Sequence, residues 1–142
     1  MNKELNLCAV IMHSKPGYKT GKKNKIFDNL LNQNFTIDCK NKVWCTDFTY
    51  MRQPNGKFRY NGSIIDLYDR SAVASLNSDY INTDLAISTL NTALENENYP
   101  KVILHSDQRG QFTSWEFVNF CKENNITQSM SKAGCPYDNA PM

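Results

Sequence analysis

The sequence of 142 residues lacks an apolar run of about 18 residues, the length a helix needs to cross a lipid bilayer. Its early apolar stretch, Leu5 to Met12, is too short and too weakly flanked for a signal peptide. None of the five cysteines forms a C-x-x-C pair or adjoins a histidine cluster, so the spacing indicates neither a disulfide framework nor a zinc site. We therefore expect a soluble, cytoplasmic protein without a membrane partner.

The patterns typical of covalent catalysis are also missing. No cysteine has a histidine near it in sequence, and Ser106 lies in no G-x-S-x-G motif. We interpret the cysteines as small buried side chains. Nothing in the sequence indicates a small-molecule substrate.

Charge is distributed unevenly although the net charge is only +2. Residues 1–40 carry seven lysines against three acids, whereas the rest of the chain is slightly acidic. The basic excess lies in His13 to Lys25, which contains Pro16, Gly17 and Gly21 and has no helical periodicity. We interpret this segment as a cationic loop or arm. It could contact nucleic acid or be only a solvated linker, and the sequence favours neither interpretation.

The pattern of side chains changes near residue 41, where we place a domain boundary. Residues 1–40 form the basic N-terminal arm, with a short helix at Met1 to Met12. A turn of helix is also predicted near Phe27 and Leu31. Residues 41–142 form the main domain, and this length is sufficient for a hydrophobic core.

The main domain has the order β-β-β-α-β-α-β, which predicts an α/β fold with a mixed five-stranded sheet and flanking helices. The first three strands are predicted at Val43 to Met51, Phe58 to Ile65 and Ser71 to Leu76, with a hairpin turn at Pro54-Asn55-Gly56. A helix with capping side chains at Asn82-Thr83-Asp84 follows and ends before Pro100. The remaining elements are a buried strand at Lys101 to His105, a helix with a capping box at Thr113 to Glu116, and a strand at Ile126 to Met130.

Two aspartates are the candidate site residues. Asp47 interrupts an apolar, β-forming run, which is costly unless the carboxylate is paired or binds a cation. An exposed position on an edge strand is an equally good interpretation from position alone. Asp107 follows a buried strand at its carboxyl end, where open α/β sheets place their ligands. If the first and fourth strands are neighbours, the two carboxylates converge and suit Mg²⁺ or Mn²⁺.

Other polar residues have simpler interpretations. His105 is better explained as a packed core histidine than as a third ligand. Asp66 and Asp69 flank a turn and are interpreted as turn-forming residues. Asp138 is interpreted as an N-cap, which predicts a helix starting near the last residues.

Four motifs resemble the catalytic core of insertion-sequence transposases, which is similar to the core of retroviral integrases. In chain order they are Trp44-Cys45-Thr46-Asp47-Phe48-Thr49-Tyr50, Ile65-Asp66-Leu67-Tyr68-Asp69-Arg70, His105-Ser106-Asp107-Gln108 with Gln111-Phe112-Thr113-Ser114, and Ser129-Met130-Ser131 with Tyr137-Asp138-Asn139-Ala140-Pro141-Met142. Upstream, Lys3 to Leu7 and Lys15 to Lys19 resemble the end of a helix-turn-helix region. The best resemblance is to the second-frame product of insertion-sequence family three.

The resemblance implies a ribonuclease H-like fold and a polynucleotidyl transferase that cuts DNA at the element's end and joins the freed 3′-hydroxyl to a second phosphodiester. It implies Asp47 and Asp107 as catalytic metal ligands for two Mg²⁺ or Mn²⁺ ions, with DNA as the substrate and a homo-oligomer as the full-length assembly. The candidate DNA contacts are Lys15, Lys19, Lys22, Lys23, Lys25, Arg109 and Lys132. The family commonly has glycine where this chain has Arg109, so strain is expected there if the turn needs a positive φ.

The family's third ligand, a glutamate, is expected at position 143, one residue after Met142. We therefore expect a fragment that lacks the final catalytic helix, leaves one face of the sheet uncovered and is inactive alone. Two alternatives remain open. One is a non-catalytic DNA-binding fragment that inhibits a full-length transposase, and the other is a nuclease of the ribonuclease H type, which needs the same carboxylates.

Overall fold

A computed structural model describes residues 25–139 of the chain. One five-stranded sheet with flanking helices forms the described part, which confirms the expected α/β class. The elements in chain order are β1 (Val43–Arg52), β2 (Phe58–Asp66), β3 (Ala72–Ser78), α1 (Thr83–Asn96), β4 (Ile103–Ser106), α2 (Gly110–Thr113), α3 (Trp115–Glu123), β5 (Thr127–Met130) and a 3₁₀ turn (Pro136–Asn139). The short helix α2 has no counterpart in the sequence prediction. No helix within residues 25–139 is both long and apolar enough to cross a membrane.

The sheet is mixed, with strand order β3-β2-β1-β4-β5. β1 pairs antiparallel with β2, and β2 pairs antiparallel with β3. β4 runs parallel to both β1 and β5. β1 is therefore the central strand and has β4 as its direct neighbour, which is the condition for the two aspartates to converge.

A tight turn joins β1 to β2 where the sequence predicts it. Gly56 has a φ of +80°, a conformation that glycine adopts without steric cost. Asn55 accepts a hydrogen bond from the Lys57 amide at 2.9 Å, and the Gln53 amide donates to the Lys57 carbonyl at 2.8 Å. The chain is thus reversed by a local Asn–Gly pattern.

Helix α1 covers one face of the sheet. Asn82 caps it by accepting a hydrogen bond from the Leu85 amide at 3.0 Å, as predicted for this capping segment. The apolar stripe of the helix is buried in the main core together with side chains of the sheet and of α3. The principal buried members of this core are Trp44, Phe48, Ile64, Leu90, Leu94, Leu104, Phe112, Phe117 and Met130.

The opposite face carries a second, smaller cluster made of Leu31, Val43, Cys45 and Leu67. Phe35 and Ile37 pack against it, so the irregular segment before β1 covers this face. Val43, Cys45 and Asp47 share one side of β1 because side chains alternate along a strand. The candidate carboxylate of Asp47 therefore belongs to the face with the smaller cluster.

Two local predictions are wrong. No helix forms near Phe27 and Leu31, because Asn29 accepts hydrogen bonds from two amides just after it and Asn32 and Gln33 have positive φ values of 47° and 62°. Helix α3 is capped by Ser114, which accepts from the Phe117 amide at 3.3 Å, and not by Thr113. Thr113 is instead the last residue of α2.

Several predictions concern residues outside the described range. These are the helix at Met1 to Met12, the cationic segment up to residue 24 with Cys8, and a helix after Asp138. The proposed boundary near residue 41 stays a prediction. Leu31 and Phe27, which lie before it, pack onto the two core clusters of the domain.

Candidate active site

Parallel pairing of β1 with β4 brings Asp47 and Asp107 to the same edge of the sheet. Cys45 of β1 is the register partner of His105 of β4, and each aspartate lies two residues further along its own strand direction. The two carboxylates therefore lie on the same face, since alternation has a period of two. Because β1 has neighbours on both sides, the interpretation of Asp47 as an exposed edge-strand residue is wrong.

Both carboxylates are partly shielded from water, with side-chain exposures of 32% for Asp47 and 28% for Asp107. Burial raises the pKa of Asp47 above its usual value, and the nearby Asp107 charge adds to this effect. The Phe48 amide, which donates to Asp47 at 2.8 Å, and the charge of Arg109 act in the opposite direction. Asp47 is therefore held where its charged form benefits from a nearby cation.

Arg109 supplies that cation in the described structure. Its Nε lies 2.9 Å from Asp107 Oδ2, and its Nη1 lies 3.6 Å from Asp47 Oδ1. The second distance is short enough for an ion pair but too long for a hydrogen bond. Nη1 is buried and has no hydrogen-bond partner among the described residues. The guanidinium also lies over the ring of Tyr50, 5.7 Å from its centroid.

The backbone at Arg109 is unstrained. Its φ is −60°, and its amide donates to Asp107 Oδ1 at 3.0 Å, so the aspartate closes a local turn. The turn therefore does not need glycine, and the expected strain at this position is absent.

An open cleft of about 610 Å³ lies in front of the two carboxylates. Its other wall is the loop after β5, which contributes Ser131, Lys132, Gly134 and Cys135. Gln108 fixes this loop by donating to the Ser131 carbonyl at 3.0 Å. The sequence analysis named Lys132 of this loop as a candidate DNA contact but did not predict that the loop faces the carboxylates, because a loop without secondary structure leaves no periodic signal.

His105 is a structural core residue, as the sequence interpretation held. It is fully buried, and burial lowers its pKa, so the ring is neutral. Its Nε2 donates to the Asp138 carbonyl at 2.7 Å, which leaves Nδ1 to accept from the Ser129 hydroxyl at 2.9 Å. Both ring nitrogens are thus engaged, and His105 has none left for a metal ion.

Asp138 anchors the cleft loop. Its Oδ2 accepts from the Lys132 amide at 2.9 Å, and its Oδ1 accepts from the Gln33 side chain at 2.9 Å. These bonds hold the pKa of Asp138 below its usual value, with the Lys132 amide contributing most. Among the described residues the carboxylate therefore bonds to Lys132 and Gln33, which precede it in the chain. Asp138 itself lies in the 3₁₀ turn.

Asp66 and Asp69 are turn residues, as interpreted from the sequence. Asp66 is fully buried and accepts from the amides of Asn41 at 2.7 Å and Tyr68 at 2.8 Å. Asp69 accepts from the amide and hydroxyl of Ser71. Neither carboxylate lines the cleft.

The interpretation of the cysteines as buried side chains is right for two of the four cysteines that the structure describes. Cys45 and Cys121 are buried, and burial raises the pKa of each thiol to about 12, so both stay protonated. Cys39 and Cys135 are exposed, against the expectation of burial. Both lie in irregular segments, where no periodicity reveals the buried side.

The candidate DNA contacts are spread over different parts of the chain. Lys15, Lys19, Lys22 and Lys23 lie outside the described residues. Lys25 is exposed with its ammonium group 4.9 Å from the Phe27 ring centroid. Lys132 lines the cleft, and Arg109 lies inside the carboxylate site. Among the described candidates, Arg109 and Lys132 therefore line the same cleft, whereas Lys25 is not one of its lining residues.

The donor chemistry of the cleft fits a hard divalent cation in part. Two aspartates offer the oxygen ligands that Mg²⁺ and Mn²⁺ prefer. A third ligand is absent from the described range, since residues 25–139 contain no group of three or more His, Cys, Asp or Glu side chains placed to hold a metal ion. The guanidinium of Arg109 instead offsets one of the two negative charges of the pair.

The sequence resembles a known protein family and two curated bacterial proteins. The family described as integrase core domain matches residues 38–136. Transposase InsF for insertion sequence IS3A from Escherichia coli strain K12 is 36% identical over 116 residues, which cover 81% of this chain and 40% of that protein. The insertion element IS600 uncharacterized 31 kDa protein of Shigella sonnei is 32% identical over 115 residues, covering 80% of this chain and 42% of that protein. The chain thus spans about two fifths of the length of these curated relatives.

Solved structures share the fold at lower identity. The HTLV-2 integrase catalytic core domain in complex with magnesium, in its dimeric form, has a TM-score of 0.58 and 20% identity, covering 64% of this chain and 61% of that one. The simian T-cell lymphotropic virus intasome in complex with PP2A regulatory subunit B56 gamma has a TM-score of 0.60 and 20% identity, covering 67% of this chain and 36% of that one. The architecture is therefore the ribonuclease H-like fold of integrase cores. With most of its length matched by the family, the chain belongs to the integrase core domain family and is a relative of the transposases of insertion sequence IS3.

Proposed function

We propose that this chain is part of a transposase that acts in DNA transposition, with Asp47 and Asp107 as ligands of a catalytic divalent metal. The observation that carries the proposal is the convergence of the two aspartates at the ends of neighbouring parallel strands in an integrase core fold. One solved relative of this fold was determined with magnesium, which supports Mg²⁺, with Mn²⁺ as its substitute. Two ions in the complete site remain part of the proposal.

The chain's own residues prepare the site in three ways. The parallel register sets the aspartates on one face, and the Phe48 amide orients Asp47 by donating to it at 2.8 Å. The Arg109 amide orients Asp107 in the same manner at 3.0 Å. When bound, a divalent cation supplies charge stabilisation for the attacking and leaving oxygens of a phosphodiester displacement. Lys132 adds positive charge to the cleft wall, where a DNA phosphate would lie.

DNA is the proposed partner, both as element end and as target. The curated relatives are described as a transposase and an insertion-element protein, and the cationic segment up to Lys25 supplies charge for phosphate contacts. HTLV-2 cores have been solved in dimeric and trimeric forms, which supports a homo-oligomer for the longer protein. Both named relatives come from bacteria, whose DNA lies in the cytoplasm, and we propose the same location here.

Metal binding by the whole chain tests the proposed ligands. Free Mn²⁺ is measured by electron paramagnetic resonance at millimolar metal, with the parent chain, Asp47→Asn and Asp107→Asn. Each substitution replaces a charged carboxylate with a neutral amide that keeps one oxygen, and it should weaken binding roughly tenfold or more. Asp69→Asn is the matched control, because Asp69 is an exposed turn residue bonded to Ser71. Equal Mn²⁺ affinity in the parent chain and both site variants would contradict the assignment.

A polypeptide of residues 1–142 is proposed to be inactive by itself, since it holds two of the three carboxylates that the family resemblance implies. Supercoiled plasmid incubated with this polypeptide and Mg²⁺ should stay intact. Nicking that needs Mg²⁺ and disappears in Asp107→Ala would contradict the proposed inactivity, and it would support a nuclease of the ribonuclease H type.

A further inference from the structure

The guanidinium of Arg109 occupies the region between the two candidate ligands. Nε contacts Asp107 at 2.9 Å, and Nη1 approaches Asp47 at 3.6 Å, so one side chain bridges both carboxylates. A divalent cation bound to the same oxygens would lie about 2.0–2.1 Å from each ligand atom. A single site between the carboxylates therefore has no room for both groups.

The bridging position of Arg109 is supported from three sides. The Asp107 turn fixes the backbone of Arg109, the ring of Tyr50 lies beneath its guanidinium, and the carboxylates attract its charge. Nη1 is buried and has no hydrogen-bond partner in the described part of the chain. An unsatisfied buried donor is costly, so charge, not hydrogen-bond geometry, holds this end of the side chain in place.

We propose that Arg109 is a built-in competitor of the catalytic metal, which must displace the guanidinium before it can bridge Asp47 and Asp107. This inference rests on the proposed metal role of the two aspartates. Its consequence is a low metal affinity in the resting protein, because binding must first break two ion pairs. The displaced guanidinium becomes free to contact a phosphate in the same cleft.

Substitution of Arg109 tests the competition directly. Arg109→Gln keeps much of the length of the side chain and removes its charge. The dissociation constant for Mn²⁺, measured by electron paramagnetic resonance on the whole chain without DNA, should fall roughly tenfold or more. Addition of Mn²⁺ should also raise the melting temperature of this variant more than that of the parent chain. Arg109→Gly is measured alongside, so that the test does not depend on the folding of one variant. The φ of −60° at this position is open to every residue.

The matched control is Arg59→Gln. Arg59 lies on β2 and pairs with Asp79 at 3.2 Å. Its substitution removes the same net charge as Arg109→Gln, so the Mn²⁺ affinity of this variant should equal that of the parent chain. An equal gain in Arg59→Gln and Arg109→Gln would overturn the proposal, as would no gain in either Arg109 variant.

A double variant separates this inference from the proposed function. Asp107→Asn added to Arg109→Gln should abolish the gain in affinity. If Mn²⁺ binding needs both aspartates but its affinity is unchanged in the Arg109 variants, the proposed competition fails and the metal role of the aspartates stands. If the gain in Arg109→Gln survives the loss of Asp107, the gained site is not the proposed one, and both the competition and the metal role of Asp107 fail.

Discussion

At the scale of the residue, Gly62 shows how closely α1 approaches the sheet. A Cβ atom built at Gly62 would lie 2.7 Å from the hydroxyl oxygen of Thr89 and 3.4 Å from side-chain atoms of Leu85 and Phe48. Thr89 cannot easily move away, because it is buried and donates to the Leu85 carbonyl at 2.7 Å. Glycine is required here by the space between two elements, since its own backbone has no positive φ.

Gly62→Ala should therefore destabilise the domain by about 1–3 kcal/mol through overpacking. Chemical denaturation of the parent and variant chains measures the difference. Gly110→Ala is the matched control, because a Cβ there meets nothing within 4 Å, and its stability should equal or exceed that of the parent chain. Adding Thr89→Ala to Gly62→Ala should recover part of the loss. A Gly62→Ala chain as stable as the parent would show that α1 shifts without cost.

Sequence patterns predicted Asp47 and Asp107 because each breaks or ends an apolar strand, a signal that is local. The role of Arg109 was not predictable in the same way. Its bridge depends on the distance between two strands that are far apart in sequence, and a pattern around residue 109 contains no such information. The shift of the α3 cap from Thr113 to Ser114 has a local origin instead, since α2 takes Thr113 as its last residue.

At the scale of the element, the carboxylate of Asp138 links the loop after β5 to the segment before β1. Asp138 joins the Lys132 amide in the cleft wall to the Gln33 side chain in the segment before β1. His105 adds a further tie through the Asp138 carbonyl. The cleft wall is thus held against both the sheet and the segment that covers the smaller core cluster.

Asp138→Asn should lower the melting temperature at neutral pH by several degrees, since the charged acceptor is lost. The pKa of Asp138 is lowered in the folded chain, so its contribution to stability is complete above the unfolded pKa of about 3.9 and is lost as pH falls through the folded pKa. The difference between variant and parent should therefore shrink at acidic pH. Thermal melts across pH measure it, with the exposed Asp28→Asn as the control for removal of charge. A difference that stays constant down to acidic pH would contradict the linkage.

The strands and long helices followed from periodicity and turn residues, whereas the segment before β1 did not. Its apolar residues have helical spacing, but Asn29 binds two following amides and two residues adopt left-handed backbone. The short-range bonds of an asparagine thus override a weak helical pattern. The tie between Gln33 and Asp138 spans most of the domain in sequence, and no local rule predicts it.

At the scale of the whole molecule, charge is divided between a basic N-terminal arm and a nearly balanced domain. Contacts to DNA phosphates would release counterions, so binding should weaken as salt rises. The charge count is readable from sequence, but whether the arm touches DNA depends on its position relative to the cleft. That position involves residues before 25, outside the described part of the chain.

A pair of matched variants tests the arm. Lys22→Gln with Lys23→Gln should reduce the slope of log affinity against log salt by about two units if both lysines contact phosphates. Lys57→Gln with Lys101→Gln removes the same charge from exposed places in the domain and should leave the slope nearly unchanged. Filter binding to a duplex of arbitrary sequence measures both slopes. Equal slopes for the two double variants would indicate that the arm is a solvated linker.

The parallel register of β1 and β4 also sets where the chain tolerates changes of length. Asp47 and Asp107 share a face because each lies two residues past a registered pair. An extra residue in the hairpin turn around Gly56 leaves that relation intact. One inserted between Ile103 and Asp107 would instead rotate the second carboxylate to the opposite face. Length variation among functional relatives should therefore collect in the turns and avoid these few strand positions.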